Sequence, residues 1–174
     1  MRTATKMVMR GMVVCPLCNG VLKIHGSYWR HIHDANNEIH EGWVAQGHCE
    51  DCNIYPSLIP EFIMPYKHYE AAVIEAAISK VEEEGGLRLN DSPADDSTIR
   101  RWVKEFKDSG ALAAGRLLSI LYAVYGRHIS ALELQNKSLM KQLARLMREM
   151  PAPETGGVIG RVNIILTRYN SGFL

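Results

Sequence analysis

The chain lacks any apolar run of the ~18 residues that a membrane-spanning helix requires. No secretory leader is expected from its opening either: the basic MRTATKMVMRGMVV meets Cys15-Pro16 before an apolar core develops. These absences lead to the expectation of a cytoplasmic protein with no membrane attachment. In a reducing compartment, structural disulfides are rare. An excess of one charge is missing too, since 20 basic and 19 acidic residues leave a net charge of +1. Overall charge therefore nominates no partner class. There is no nucleophile constellation and no assignable acidic triad, so no enzymatic activity is expected.

What the chain does contain is four cysteines in two Cys-x-x-Cys pairs, CPLC at Cys15 and Cys18 and CEDC at Cys49 and Cys52. Each pair brings two thiolates to one point, and two pairs complete a tetrahedron. Zn²⁺ accepts four sulfurs at about 2.3 Å in that arrangement. Thirty residues lie between Cys18 and Cys49, which suits a ribbon with a hairpin between its knuckles. Asn19-Gly20 and Asn53 tolerate the left-handed backbone that follows a knuckle cysteine. The expectation is one structural Zn²⁺ held by Cys15, Cys18, Cys49 and Cys52. A dithiol switch is the alternative reading, but no thioredoxin-like βαβ pattern surrounds either pair. Catalytic zinc is disfavoured because four thiolates leave no open position. His25, His31, His33, His40 and His48 lie between the pairs. They read as solvent-facing strand residues, and YWRHIH (28–33) is placed to meet a partner.

Residues 7–14 read as a strand feeding the first pair. Residues 20–33 and 38–48 read as a hairpin turning at Asn36-Asn37. Pro56, Pro60 and Pro65 forbid a helix and mark an extended connector. From Tyr66, apolar residues at Tyr69, Ala72, Val73, Ala76, Ala77 and Val81 predict an amphipathic helix ended by Gly85-Gly86. LRLNDSPADD (87–96) is turn-rich. STIRRWVKEF (97–106) is helical again, capped by Ser97 or Ser92-Pro93. Residues 111–125 are apolar on nearly every side, which predicts a buried helix. Ser130 and Glu133 form a capping box, followed by an apolar face from Leu132 to Met150. PAPETGG reads as a linker. The tail from Val158 is open between a strand, a docking segment and disorder.

The fold class expected is α+β. A small N-terminal zinc ribbon (β) with its connector occupies 1–65. An all-α helix-turn-helix-like region occupies 66–110, and a C-terminal helical hairpin with its tail occupies 111–174. Charge is unevenly spread: residues 61–110 carry seven basic and eleven acidic side chains, and residues 111–174 carry eight and three. On the helix around Trp102, Arg100, Arg101, Lys104 and Lys107 oppose Ile99, Trp102, Val103 and Phe106. A recognition helix is built that way, one face packed and the other offering cations to phosphates and base edges. A solvated surface helix has the same pattern. Lys137, Lys141, Arg145 and Arg148 form a second basic line. The Met/Leu face beside it is suited to the core or to a homodimer or other protein contact through the C-terminal helices.

The paired knuckles, the YPSLIPEFIMPYKHY connector and the STIRRWVKEF helix together resemble a bacterial family of uncharacterised zinc-ribbon/helix-turn-helix proteins. That family is related to the N-terminal regions of insertion-sequence transposases, and the resemblance covers about residues 12–108. It implies a zinc ribbon followed by a DNA-binding helix-turn-helix, with the four cysteines as ligands and Ser97 to Lys107 as the recognition helix. Two departures stand out. The middle helix of such a module belongs near 87–95, where the sequence is a poor helix former. No RNase H-type domain fits in the residues after the basic helix, which favours a non-catalytic helper, regulator or remnant of a mobile element. A zinc-ribbon protein–protein adaptor and a metal-dependent or redox enzyme are the competing classes.

Overall fold

Between the two cysteine pairs the chain forms the expected hairpin. In a computed structural model that describes residues 13–60, 62–87, 91–151 and 156–168, strands β1 (Lys23–His33) and β2 (Ile39–His48) pair antiparallel. Asp34 builds the turn by accepting from the Asn36 and Glu38 amides, both at 2.9 Å, and Asn37 takes a φ of 61°. The register sets Trp29 opposite Trp43, with a bulge between Ile24 and Gly26. A two-residue strand, β3 (Ser57–Leu58), adds to β2, giving the order β1-β2-β3. Most of the strand expected at 7–14 lies outside the described residues; Val14 bridges Val21.

Helix α1 (Ala71–Glu84) starts later than its periodicity predicted. Tyr66 sits at a φ of 59°, which no helix accommodates, and Glu70 is the N-cap. Gly85 ends the helix as expected. Helix α2 (Asp96–Tyr125) merges two expected helices into one of 30 residues and passes through the boundary placed at 110/111. Its cap is Asp95, whose carboxylate accepts from the Thr98 amide at 2.9 Å, rather than Ser97 or Ser92. The helix continues through Ser109-Gly110, and glycine is needed there because a Cβ on Gly110 would overlap Leu139.

The capping box at Ser130 and Glu133 is present, but it starts only the short α3 (Ala131–Leu134). Asn136, at a φ of 62°, breaks the run, and Ser138 caps a new helix, α4 (Leu139–Met147). Leu132 is left 77% exposed, outside the apolar face assigned to it. The tail, left open by the sequence, forms helix α5 (Gly157–Arg168), which buries Ile159, Val162, Ile165 and Leu166.

The class is α+β, a small antiparallel sheet followed by helices. Residues of α1, α2, α4 and α5 share one core with Trp102, Phe106, Leu117, Leu121 and Leu143 near its centre. The α2 segment 111–125 is not buried on every side. Ala113, Ala114, Leu117 and Leu121 enter the core, while Leu112, Tyr122 and Val124 face solvent, because neighbours cover only one side. Two carboxylates of α1 hold the C-terminal helices: Glu75 accepts from the Ile159 amide at 3.0 Å and Glu82 from the Met140 amide at 3.2 Å. Seven residues apart, they lie two turns apart on one face. No described helix is long and apolar enough to cross a membrane.

Candidate metal centre

The two knuckles are built alike. Cys15 donates its amide to the Gly20 carbonyl at 2.7 Å, and Cys49 donates to the Ile54 carbonyl at 3.0 Å. Each loop turns through an asparagine at positive φ, Asn19 at 60° and Asn53 at 50°, as the Asn-Gly and Cys-Asn pairs predicted. The loops aim amides at sulfur: Leu17 donates to Cys15 Sγ and Gly20 to Cys18 Sγ, both at 3.4 Å. Such donors stabilise a thiolate.

β1 leaves the first knuckle and β2 enters the second, so the hairpin closes the two pairs on each other. The four Sγ atoms lie within 4.8 Å of one another, with Cys18 and Cys49 3.5 Å apart. A tetrahedron of sulfurs about 2.3 Å from a central ion has edges of about 3.8 Å, so the cluster has the dimensions of a four-thiolate site. It is too open for disulfides, whose sulfurs sit about 2.05 Å apart. Cys15 and Cys49 are buried with Leu22 in a small core of their own, with Val13, Ile54 and Leu58 against it.

Within the cluster the thiols act on one another's ionisation. Burial pushes the Cys15 thiol up, but the Cys18 and Leu17 amides and the neighbouring Cys49 and Cys18 thiols outweigh it and bring it down to about 7. Cys52 is pushed up to about 12, first by the Cys18 thiol and then by burial. At Cys49 the Cys52 amide pulls down, yet burial and the thiols of Cys18 and Cys15 raise it overall. Full ionisation of the set requires positive charge at its centre, and the site fits a metal ion. No histidine joins the cluster: His48 stacks on Tyr55, ring centres 4.5 Å apart. A second group, Asp34, Glu38 and His40, is the hairpin turn itself. His40 donates to Asp34 and holds its carboxyl below the usual range.

The cations nominated on α2 are all exposed, opposite buried Ile99, Trp102, Val103 and Phe106. Arg100, Lys104 and Lys107 line a groove of about 890 Å³ between the end of α1 and the start of α2, together with Asp96 and Asp108. Arg101 does not line it. The segment joining α1 to α2 contains no middle helix among its described residues: Ser92 Oγ accepts from the Ala94 amide, and Asp95 is extended. The second basic line is partly neutralised, because Lys141 pairs with Glu83 and Arg145 with Glu133 and Glu149.

No curated protein and no solved structure matches the chain. One family profile does, over residues 15–102. That span opens on the first cysteine of the cluster, includes the other three and the hairpin between them, and closes on Trp102, the residue that seats α2. The chain belongs to the family described as Domain of unknown function (DUF6431).

Proposed function

We propose that this chain is a non-catalytic DNA-binding protein in which a structural zinc ion holds the ribbon and the start of α2 contacts DNA. Zinc suits the site because four thiolates in a tetrahedron satisfy it completely. The same closure leaves no position for an activated water, which is the reason to expect no hydrolase or strand-transfer chemistry. The mobile-element relationship belongs to this proposal and rests on the knuckles, connector and basic helix.

The observation that carries the DNA reading is the two-sided start of α2. Arg100, Arg101, Lys104 and Lys107 are exposed, and none forms an ion pair with a described acidic residue. Phosphate contacts supply most non-specific DNA affinity and weaken steeply with salt. The test is the double reversal Arg100→Glu with Arg101→Glu, compared with the parent on genomic fragments across a salt titration. The parent is expected to bind, and the folded double variant to lose affinity and about two units of salt slope. A parent that binds no DNA, or a folded double variant that binds equally well, refutes the reading. In that case the adaptor alternative takes its place, supported by the exposed Leu112, Tyr122 and Val124 on α2.

A further inference from the structure

A second groove, of about 760 Å³, is lined by residues 28–31 of β1 and by the connector from Tyr55 to His68, and shares no residue with the groove beside the α2 cations. Its walls are Tyr28, Trp29, Tyr55, Pro56, Pro65 and Tyr66. From these residues we infer that it is a docking site for an uncharged, proline-rich peptide in the polyproline II conformation.

The rings are exposed and braced. Trp29 is 52% exposed and rests on Trp43, ring centres 4.2 Å apart; Tyr55 is 46% exposed and stacks on His48. Tyr66 is 97% exposed and held at a φ of 59°, a backbone region that a bulky residue seldom occupies. Strain of this kind persists where the surrounding structure imposes it, and it gathers at ligand clamps. Here it aims a large ring into solvent at the mouth of the groove.

Charge and hydrogen-bonding capacity select the occupant. The lining contains no carboxylate and no ammonium. Its one permanent charge, Arg30, is committed inward, donating to the Met64 and Lys67 carbonyls at 2.6 Å. A single-stranded nucleic acid needs cations along its phosphate track, and besides Arg30 the groove holds only two imidazoles, His31 set against Glu41 and His68 set against the His31 carbonyl. The Tyr55 and Tyr66 hydroxyls and the Trp29 indole N–H donate to no described residue, so the rim is rich in donors. A polyproline II segment is the complement: it lacks amide donors at each proline, presents its carbonyls outward and offers apolar ridges to aromatic walls. The volume lies within the range that holds a short ligand segment.

The test uses the full chain as purified. Deca-proline, a glycine-serine decamer and deca-thymidylate are titrated separately, followed by tryptophan emission and calorimetry. Deca-proline is expected to bind saturably and at least about tenfold more tightly than the other two. Tyr66→Gly is expected to weaken it about tenfold while leaving the thermal midpoint unchanged or raised, since glycine suits the positive φ. The Arg100→Glu, Arg101→Glu protein is expected to bind the peptide as the parent does, which separates this site from the DNA reading. Absence of saturable binding, equal affinity for the glycine-serine peptide, indifference to Tyr66→Gly, or Tyr66-dependent preference for thymidylate each overturns the proposal.

Discussion

Glu75 is the most informative single residue for testing how the helices are held together. Its half-buried carboxylate accepts from the Ile159 amide at 3.0 Å and also from the Val158 amide. These are the donors left unpaired at the start of α5, a helix with no acidic residue in its own first turn. Replacing Glu75 with alanine removes a cap, worth about 0.5–2 kcal/mol, and strands amides that are expensive to leave unmade. We expect a loss of about 2 kcal/mol in urea denaturation followed by circular dichroism. Glu75→Gln keeps an acceptor oxygen and is expected to fall within about 1 kcal/mol of the parent, the size of the charge–dipole effect it removes. Gly157 supplies an internal check. It has a φ of 65°, and a Cβ there would stand 2.5 Å from Glu75 Oε2. Gly157→Ala should therefore cost less in the Glu75→Ala background than alone.

The pH dependence of this pair of variants has a defined sign. Burial raises the Glu75 pKa above its ordinary 4.5, against the pull of the two amides and Arg161. The folded state then binds the proton more tightly than the unfolded chain. The parent's stability relative to Glu75→Gln is greatest below pH 4.5 and falls as pH rises through the folded value. If glutamine is as damaging as alanine, the capping argument fails; if the relative stability rises with pH across that window, the amides outweigh burial and the raised pKa of Glu75 is refuted.

Three further outcomes follow from the packing. Elemental analysis of protein purified without added metal should find about one zinc per chain; iron, or no metal, would contradict the zinc assignment. Trp102→Ala should cost roughly 3–5 kcal/mol, because the indole is 2% exposed and meets Tyr69 edge-on at 5.1 Å; a loss under about 1 kcal/mol would show that the site collapses around the void. Gly110→Ala should destabilise despite a helix-propensity gain of about 1 kcal/mol, because the added methyl overlaps Leu139; a more stable variant would mean that α4 shifts freely.

The four-cysteine cluster was legible because each of its halves is local. Two cysteines at fixed spacing followed by asparagine define a knuckle whatever surrounds them, and the hairpin is what 30 intervening residues of strand character can form. The face of α2 carrying Ile99, Trp102, Val103 and Phe106 was legible for the same reason, as a short periodic pattern. What escaped is tertiary. Ser109-Gly110 looks like a helix end until Leu139 arrives from elsewhere in the chain. The tail held a helical signal in Ile159, Val162 and Ile165, but an acceptor for its first amides comes from Glu75, 84 positions upstream. The solvent side of 111–125 could not be foreseen either, since an all-round apolar helix records how much surface it offers and not how much is taken.

The arrangement of the two cores determines how far metal loss should spread. The thiolate cluster, with Leu22, forms one core and the helices form another. They are joined at the opposite end of the hairpin from the cysteines. Arg30 lies seven residues beyond Lys23, about 24 Å along β1, and there donates to the Met64 and Lys67 carbonyls. Close by, the His33 ring stacks on Tyr69, which meets Trp102, and Lys67 pairs with Glu105 on α2. The four-cysteine cluster, and on the proposed reading its metal ion, secures the knuckle end of the hairpin, while an arginine and a line of rings secure its junction with the start of α2. Cys49→Ser, or chelation, should disorder the knuckles and the adjoining strand ends first. The Trp102 environment and the helical signal should persist, because neither depends on the small core. Amide exchange read along the chain would show this as a gradient in β1, fast near Lys23 and slow near Ile32. Uniform loss of protection in α1, α2 and α5 on chelation would instead mean that the ribbon and the helices fold as one unit, and that the junction transmits the metal's stabilisation to the whole protein.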